Sequence, residues 1–127
     1  MKQRHLDRFR ATRQQPGEEI LAYGDGQIGN PLEDGVRPGG DGMLILTDRR
    51  LVFLSSFLFR EVCEEMPLAR IYEIEYRSVL GYHTLEFKTP DGSFFFRSSS
   101  KDSRDTLLKR AARLLDLGKV APREVRV

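Results

Sequence analysis

A chain of 127 residues with 39% hydrophobic and 31% charged residues can bury one core and is too apolar for disorder. No apolar run approaches the roughly 18 residues that span a bilayer, and Met1-Lys2-Gln3-Arg4-His5 has no apolar stretch behind its charges. Cys63 stands alone, which excludes an internal disulfide and fits a reducing compartment, so the expected location is the cytoplasm.

The net charge of +2 is unevenly spread. Residues 1–13 carry Lys2, Arg4, Arg8, Arg10 and Arg13 against Asp7, and the stretch from 119 onward carries Lys119, Arg123 and Arg126 against Glu124. The body between them is therefore acidic. Basic ends of this kind can touch anionic lipid or nucleic acid at low salt, but a solvated arm is the plainer reading, and no nucleic-acid partner is expected.

Taken in order, Arg4 to Gln15 sets Leu6 and Phe9 three apart among charges, which predicts a short helix ended by Pro16-Gly17. Glu19 to Tyr23 reads as a first strand. Gly24 to Gly42 holds seven of the eleven glycines with Pro31 and Pro38, and reads as one long loop. Met43 to Leu46 and Leu51 to Leu54 are short apolar runs around the turn Thr47-Asp48-Arg49-Arg50, the pattern of buried strands. Glu61 to Met66 follows, broken at Pro67. From Ile71 to Val79, Tyr72, Ile74 and Tyr76 alternate with Glu73, Glu75 and Arg77, so one face should meet the core. Tyr82 to Thr89 and Phe94-Phe95-Phe96 flank Asp91-Gly92 as a hairpin. Last, Leu107, Leu108, Ala111, Leu114 and Leu115 form one apolar helical stripe, capped by Ser100 or Asp102 and stopped near Gly118 and Pro122.

About seven antiparallel strands followed by one amphipathic helix predict a mainly β sandwich, or partly open barrel, with the helix plugging its end. The stretch Gly42 to Phe53 (GMLILTDRRLVF) and then Met66 to Ile71 (MPLARI) resembles bacterial PH-like domains of the YokE-like group and is similar to the related GRAM and pleckstrin-homology domains. The resemblance covers residues 18–117. It implies a PH-like domain at 18–118, with a basic arm or short helix at 1–17 and a tail at 119–127. It implies a scaffold and no particular function.

The chemistry-bearing patterns are weak. Gly24-Asp25-Gly26-Gln27-Ile28-Gly29 has the G-x-G-x-x-G form, but no helical period follows to place amides on a pyrophosphate. His5, His83 and Cys63 lack metal-ligand spacing, His83 reads as an edge or surface residue, and Cys63 as a packed one. Ser98-Ser99-Ser100 has no nucleophile elbow, and Glu64-Glu65, Glu73 and Glu75 read as solvated strand faces. No catalytic residue, metal, cofactor or small-molecule substrate is expected. Nor is a phosphoinositide clamp, because the first loop carries Asp25, Glu33, Asp34 and Asp41 against Arg37.

Two apolar features remain: the tip Phe57-Leu58-Phe59, and Phe95, which alternation turns away from its neighbours. Their plain readings are a barrel floor for the tip and packing beneath Leu6 and Phe9 for Phe95. Otherwise they form an interaction surface. The expected function is therefore a non-catalytic module that contacts protein or assembles into a homo-oligomer. The alternative is weak peripheral contact with anionic lipid at the inner face of the membrane, through the apolar tip and Lys2, Arg4, Arg8, Arg10 and Arg13.

Overall fold

The computed structural model describes residues 4–28, 41–57, 60–79, 82–114 and 124–125. Helix α1 (Arg4–Thr12) precedes strands β1 (Ile20–Ile28), β2 (Asp41–Thr47), β3 (Arg50–Phe57) and β4 (Arg60–Pro67). A single 3-10 turn, Leu68–Arg70, leads to β5 (Glu73–Val79), β6 (Tyr82–Thr89), β7 (Gly92–Ser98) and helix α2 (Lys101–Leu114). A two-residue strand, β8 (Glu124–Val125), completes the described elements.

The strands form one sheet in the order β4-β3-β2-β1-β7-β6-β5-β8. Neighbours are antiparallel except β5 and β8, which run parallel. The ring centroids of Phe53 on β3 and Phe96 on β7 lie 6.1 Å apart. In sheet order these strands are three steps apart, roughly 14 Å in a flat sheet at the usual strand spacing. The sheet must therefore curl until its two halves face each other, as the sequence leads one to expect of a sandwich.

The curl turns on β1, which pairs with β2 along most of its length and with β7 at Gly26, Gln27 and Ile28. A Cβ at Gly26 would sit 2.3 Å from the Arg97 carbonyl oxygen and 2.5 Å from the Phe96 ring. Only a residue without a side chain fits there. The expectation of a loop beginning at Gly24 is thus corrected: β1 continues to Ile28, and the glycines at 24 and 26 are close-approach positions in a strand. Sequence pattern missed this because glycine is the common signal of both loops and tight backbone packing.

Inside the curl, Leu44, Leu46, Leu51, Phe53, Ile74, Leu85, Phe87 and Phe96 meet Leu107, Leu108 and Ala111 of α2. Ser100 caps α2, its hydroxyl oxygen accepting from the Ser103 amide at 3.1 Å. The buried side of α2 starts one turn earlier than expected, at Arg104, while Leu114 is partly exposed and Leu115 lies outside the described residues. Tyr72 also departs from expectation. It precedes β5 and is 58% exposed, whereas Ile71 is buried, so the alternation of β5 starts at Glu73.

A second core lies on the other face of the same sheet. There Leu6 and Phe9 of α1 pack on Met43, Ile45, Val52 and Leu54, flanked by Ile20 and Cys63. Apolar residues thus occupy both faces of β2 and β3, which is why these strands read as continuous runs rather than alternating ones.

Candidate interaction surface

The segment that carries α1 is fastened by the β2–β3 turn. Thr47 Oγ1 accepts from the Arg49 and Arg50 amides, both at 3.0 Å, and donates to Glu18 Oε2 at 2.7 Å. Arg50 gives Nε to Glu18 Oε2 at 2.9 Å, Nη2 to Glu18 Oε1 at 3.0 Å and to the Arg13 carbonyl at 2.9 Å, and Nη1 to Glu65 at 3.0 Å. Its guanidinium also lies 5.4 Å from the Phe9 ring centre. The Arg50 hydrogen bond outweighs the opposing cost of burial and holds the Glu18 carboxyl at about 2, and the same pairing raises the already high Arg50 value. Sequence reading found the turn but missed the pair. A charged residue at the head of an apolar strand run was the only signal.

The basic residues of the N-terminal arm have different fates. Arg8 Nε donates to Glu61 Oε2 at 3.1 Å, and Arg13 reaches Glu61 Oε1 at 3.2 Å. Arg4 and Arg10 are exposed, and Lys2 lies outside the described residues. Because Leu6 and Phe9 are 1% and 0% exposed, the apolar side of α1 is already occupied by its own sheet.

Of the apolar candidates, Leu58 and Phe59 lie outside the described residues, and Phe57 is described only through its backbone, paired with Arg60 at the end of the β3–β4 hairpin. Phe95 is half-buried and sits in register with Glu86. Leu6 and Phe9 cover β2 and β3 instead, so the plain reading of Phe95 beneath α1 does not hold.

Outward from Phe95 the sheet presents a polar ladder. Glu75 is opposite Glu86, and Glu73 is opposite Lys88, whose Nζ reaches Glu75 at 3.2 Å and Glu73 at 3.6 Å. Burial by itself disfavours the Lys88 charge, but the Glu75 bond and the neighbouring carboxylates outweigh it and raise its pKa. Ser93 donates to Glu86 at 2.6 Å. Glu75 and Glu86 are both buried, which corrects the reading of Glu75 as solvated. His83 is corrected likewise: it is half-buried within the sheet on β6, between Ser78 of β5 and Ser98 of β7.

On the inner side of β5, Arg104 of α2 is 4% exposed and stacks 4.3 Å from the centre of the Tyr76 ring. Asp105 accepts from Arg104 Nε at 3.0 Å and pairs with Nη2 at 2.9 Å. At the outer edge of β5, Tyr76 pairs with Glu124 and Arg77 with Val125. Helix, ring and strand thus fix the position of this edge. Periodicity alone did not reveal Arg104, since an arginine on an apolar helix stripe is normally assigned to solvent.

Among the described residues no three His, Cys, Asp or Glu side chains are grouped as a metal site. Burial pushes the Cys63 thiol up, away from the reactive thiolate. No helix of the described residues is long and apolar enough to cross a membrane.

A curled sheet of seven long antiparallel strands plugged by α2 is the PH-like architecture. The structure is similar to the Vps36 N-terminal PH domain, with a TM-score of 0.65 and 15% identity over 84% of this chain and 85% of that one. It is similar to the C-terminal domain of an unknown protein from Leishmania infantum, with a TM-score of 0.60 and 18% identity over 86% and 92%. It also resembles the hSac2 domain of human phosphoinositide phosphatase Sac2, with a TM-score of 0.54 and 15% identity over 96% and 84%. These identities speak for the fold alone. By sequence, residues 15–109 match the bacterial PH domain family, and the chain belongs to that family. No curated protein matches it. PH domains mediate contact with proteins or lipids and are typically non-catalytic.

Proposed function

We propose that this bacterial PH domain is a non-catalytic cytoplasmic module that holds protein, most simply a second copy of itself. The observation that carries this reading is the open order of the sheet, which among the described residues ends in β4 on one side and in the two residues of β8 on the other. Unsatisfied strand edges are templates for another chain. The tip at Phe57, Leu58 and Phe59 and the half-buried Phe95 are the apolar residues that such a contact would use.

A second reading is peripheral contact with anionic lipid. Exposed Arg4 and Arg10 favour it, but Arg8 and Arg13 are engaged with Glu61 and α1 has no free apolar side to insert. Light scattering over a concentration series, beside sedimentation with anionic liposomes, tests both. Concentration-dependent association without liposome binding supports assembly. A chain that stays monomeric and sediments with liposomes would overturn it. Phe57→Ser with Phe59→Ser then asks whether the tip takes part: association shifts toward monomer if it does, and stays unchanged if it does not.

A further inference from the structure

The seat of α1 holds a titratable ring with nowhere to place a second proton. His5 is half-buried at the start of α1, and its Nδ1 is buried with no hydrogen-bond partner among the described residues. A neutral imidazole can meet this by leaving Nδ1 bare and keeping its proton on Nε2. An imidazolium cannot, because both nitrogens are then donors and the buried one has no acceptor.

The charges around the ring do not remove that conflict. Arg4 and Arg8, on its own helix, disfavour a further cation. Two carboxylates act the other way, but Glu61 on β4 is already bonded to Arg8 and Arg13, which leaves Asp25 on β1. β2 and β3 present Met43, Ile45, Val52 and Leu54 to α1, with Cys63 of β4 at the flank and Arg50 over Phe9, one turn beyond His5. Burial first and Arg4 second hold the His5 pKa below its ordinary 6.5, and Glu61 and Asp25 offset them only in part.

The helix itself depends on this seat. α1 has nine residues, fewer than the roughly 12–15 at which an isolated helix is even marginal in water. It is helical because Leu6 and Phe9 are anchored in the second core, so its docking and its folding are one event. Beneath it, Met43, Ile45, Val52 and Leu54 are each at most 1% exposed. Without α1 they would form a contiguous apolar patch, the kind of surface that marks an interaction site.

We propose that α1 is a proton-operated cover: protonation of His5 unseats α1 and uncovers the apolar face formed by Met43, Ile45, Val52 and Leu54. A seated pKa below the released one means that the seated helix takes up the proton less readily. Seating is therefore fully favoured above about pH 6.5 and weakens as pH falls through the lower, seated value. This adds a condition to the module described above and does not depend on what that module holds.

Cys63, at the flank of this core, reports whether α1 is seated in the full-length chain. Its labelling by a pyridyl disulfide is followed from about pH 7.5 to about pH 5. Each rate is divided by that of the urea-unfolded chain at the same pH, which removes the thiol's own titration. Protection in the parent should fall about fivefold across this range, while the strand signal in circular dichroism is retained. The midpoint should coincide with that of the His5 ring signals followed by NMR. His5→Gln, with no titrating ring, should keep its protection throughout, and His83→Gln, at the other histidine, should behave as the parent.

Constant protection in the parent, or a midpoint that differs from that of the His5 ring, overturns the proposal whatever the variants do. So does an equal loss of protection in His5→Gln. If His5→Gln is unprotected even at about pH 7.5, the ring packs as well as titrates, and the two midpoints of the parent decide.

Discussion

Glu18 and Arg50, 32 residues apart in sequence, form a two-point ion pair at 2.9 and 3.0 Å, with only 5% and 8% of their surfaces exposed. The pair joins the segment after α1 to the head of β3. The Glu18 carboxyl is lowered from 4.5 to about 2 in the folded chain. A depressed carboxyl contributes stability that is fully present above its unfolded value and is lost as pH falls through the folded one. Acid titration followed by circular dichroism should therefore show stability falling between about pH 4.5 and 2. This one group should contribute on the order of 3 kcal/mol to the loss. Glu18→Gln should flatten that limb and lower stability at neutral pH, since removing one partner strands a buried guanidinium. An unchanged acid limb in the variant would refute the assignment.

Arg50→Lys tests the geometry rather than the charge. Four side-chain hydrogen bonds leave the guanidinium in three directions, to Glu18, Glu65 and the Arg13 carbonyl. An ammonium cannot reproduce that fork. The expected cost is about 2 kcal/mol or more in denaturant unfolding, and a melting temperature equal to that of the parent would contradict it.

Phe9→Ala removes the fully buried centre of the second core. Truncation of such a side chain costs about 3–5 kcal/mol. If only α1 lifts away, the strands stay paired and the flank of that core is uncovered. Cys63, which packs there, should then react faster with a thiol reagent than in the parent under native conditions. Unaltered Cys63 reactivity would mean that α1 remains seated.

Gly26→Ala should be destabilising despite adding a single methyl group. Its Cβ would meet a backbone carbonyl at 2.3 Å, where no side-chain rotation can relieve the clash. A loss of about 1–3 kcal/mol or more is expected from overpacking. A normal melting temperature would show that β1 does not cross between the halves of the sheet at that residue.

Arg104→Ala should destabilise by about 1–2 kcal/mol, through lost stacking on Tyr76 and lost packing of the arginine stem. Arg104→Leu separates the two contributions. It refills the space without the charge, so it should recover most of the loss if packing dominates.

Local pattern was enough to place β2 to β7 and α2, but not the second half of β1 or β8. Period-2 alternation in β5 and β6, the Asp91-Gly92 turn and the Leu107-Leu108-Ala111 stripe each depend on neighbours within a few residues, as does the Thr47 hydroxyl bond to its own turn. Two classes of feature were decided only by the tertiary structure. The first is every contact that depends on how the sheet curls: Glu18 with Arg50, Arg104 on Tyr76, Leu6 and Phe9 on β2 and β3, and Glu124–Val125 on β5. The second is the meaning of residues whose local signal is ambiguous, since Gly24 and Gly26 look like loop and are strand, and Glu75 looks solvated and is buried. Periodicity reports which face of an element is apolar. What lies against that face is set by strands that the chain brings together from distant positions.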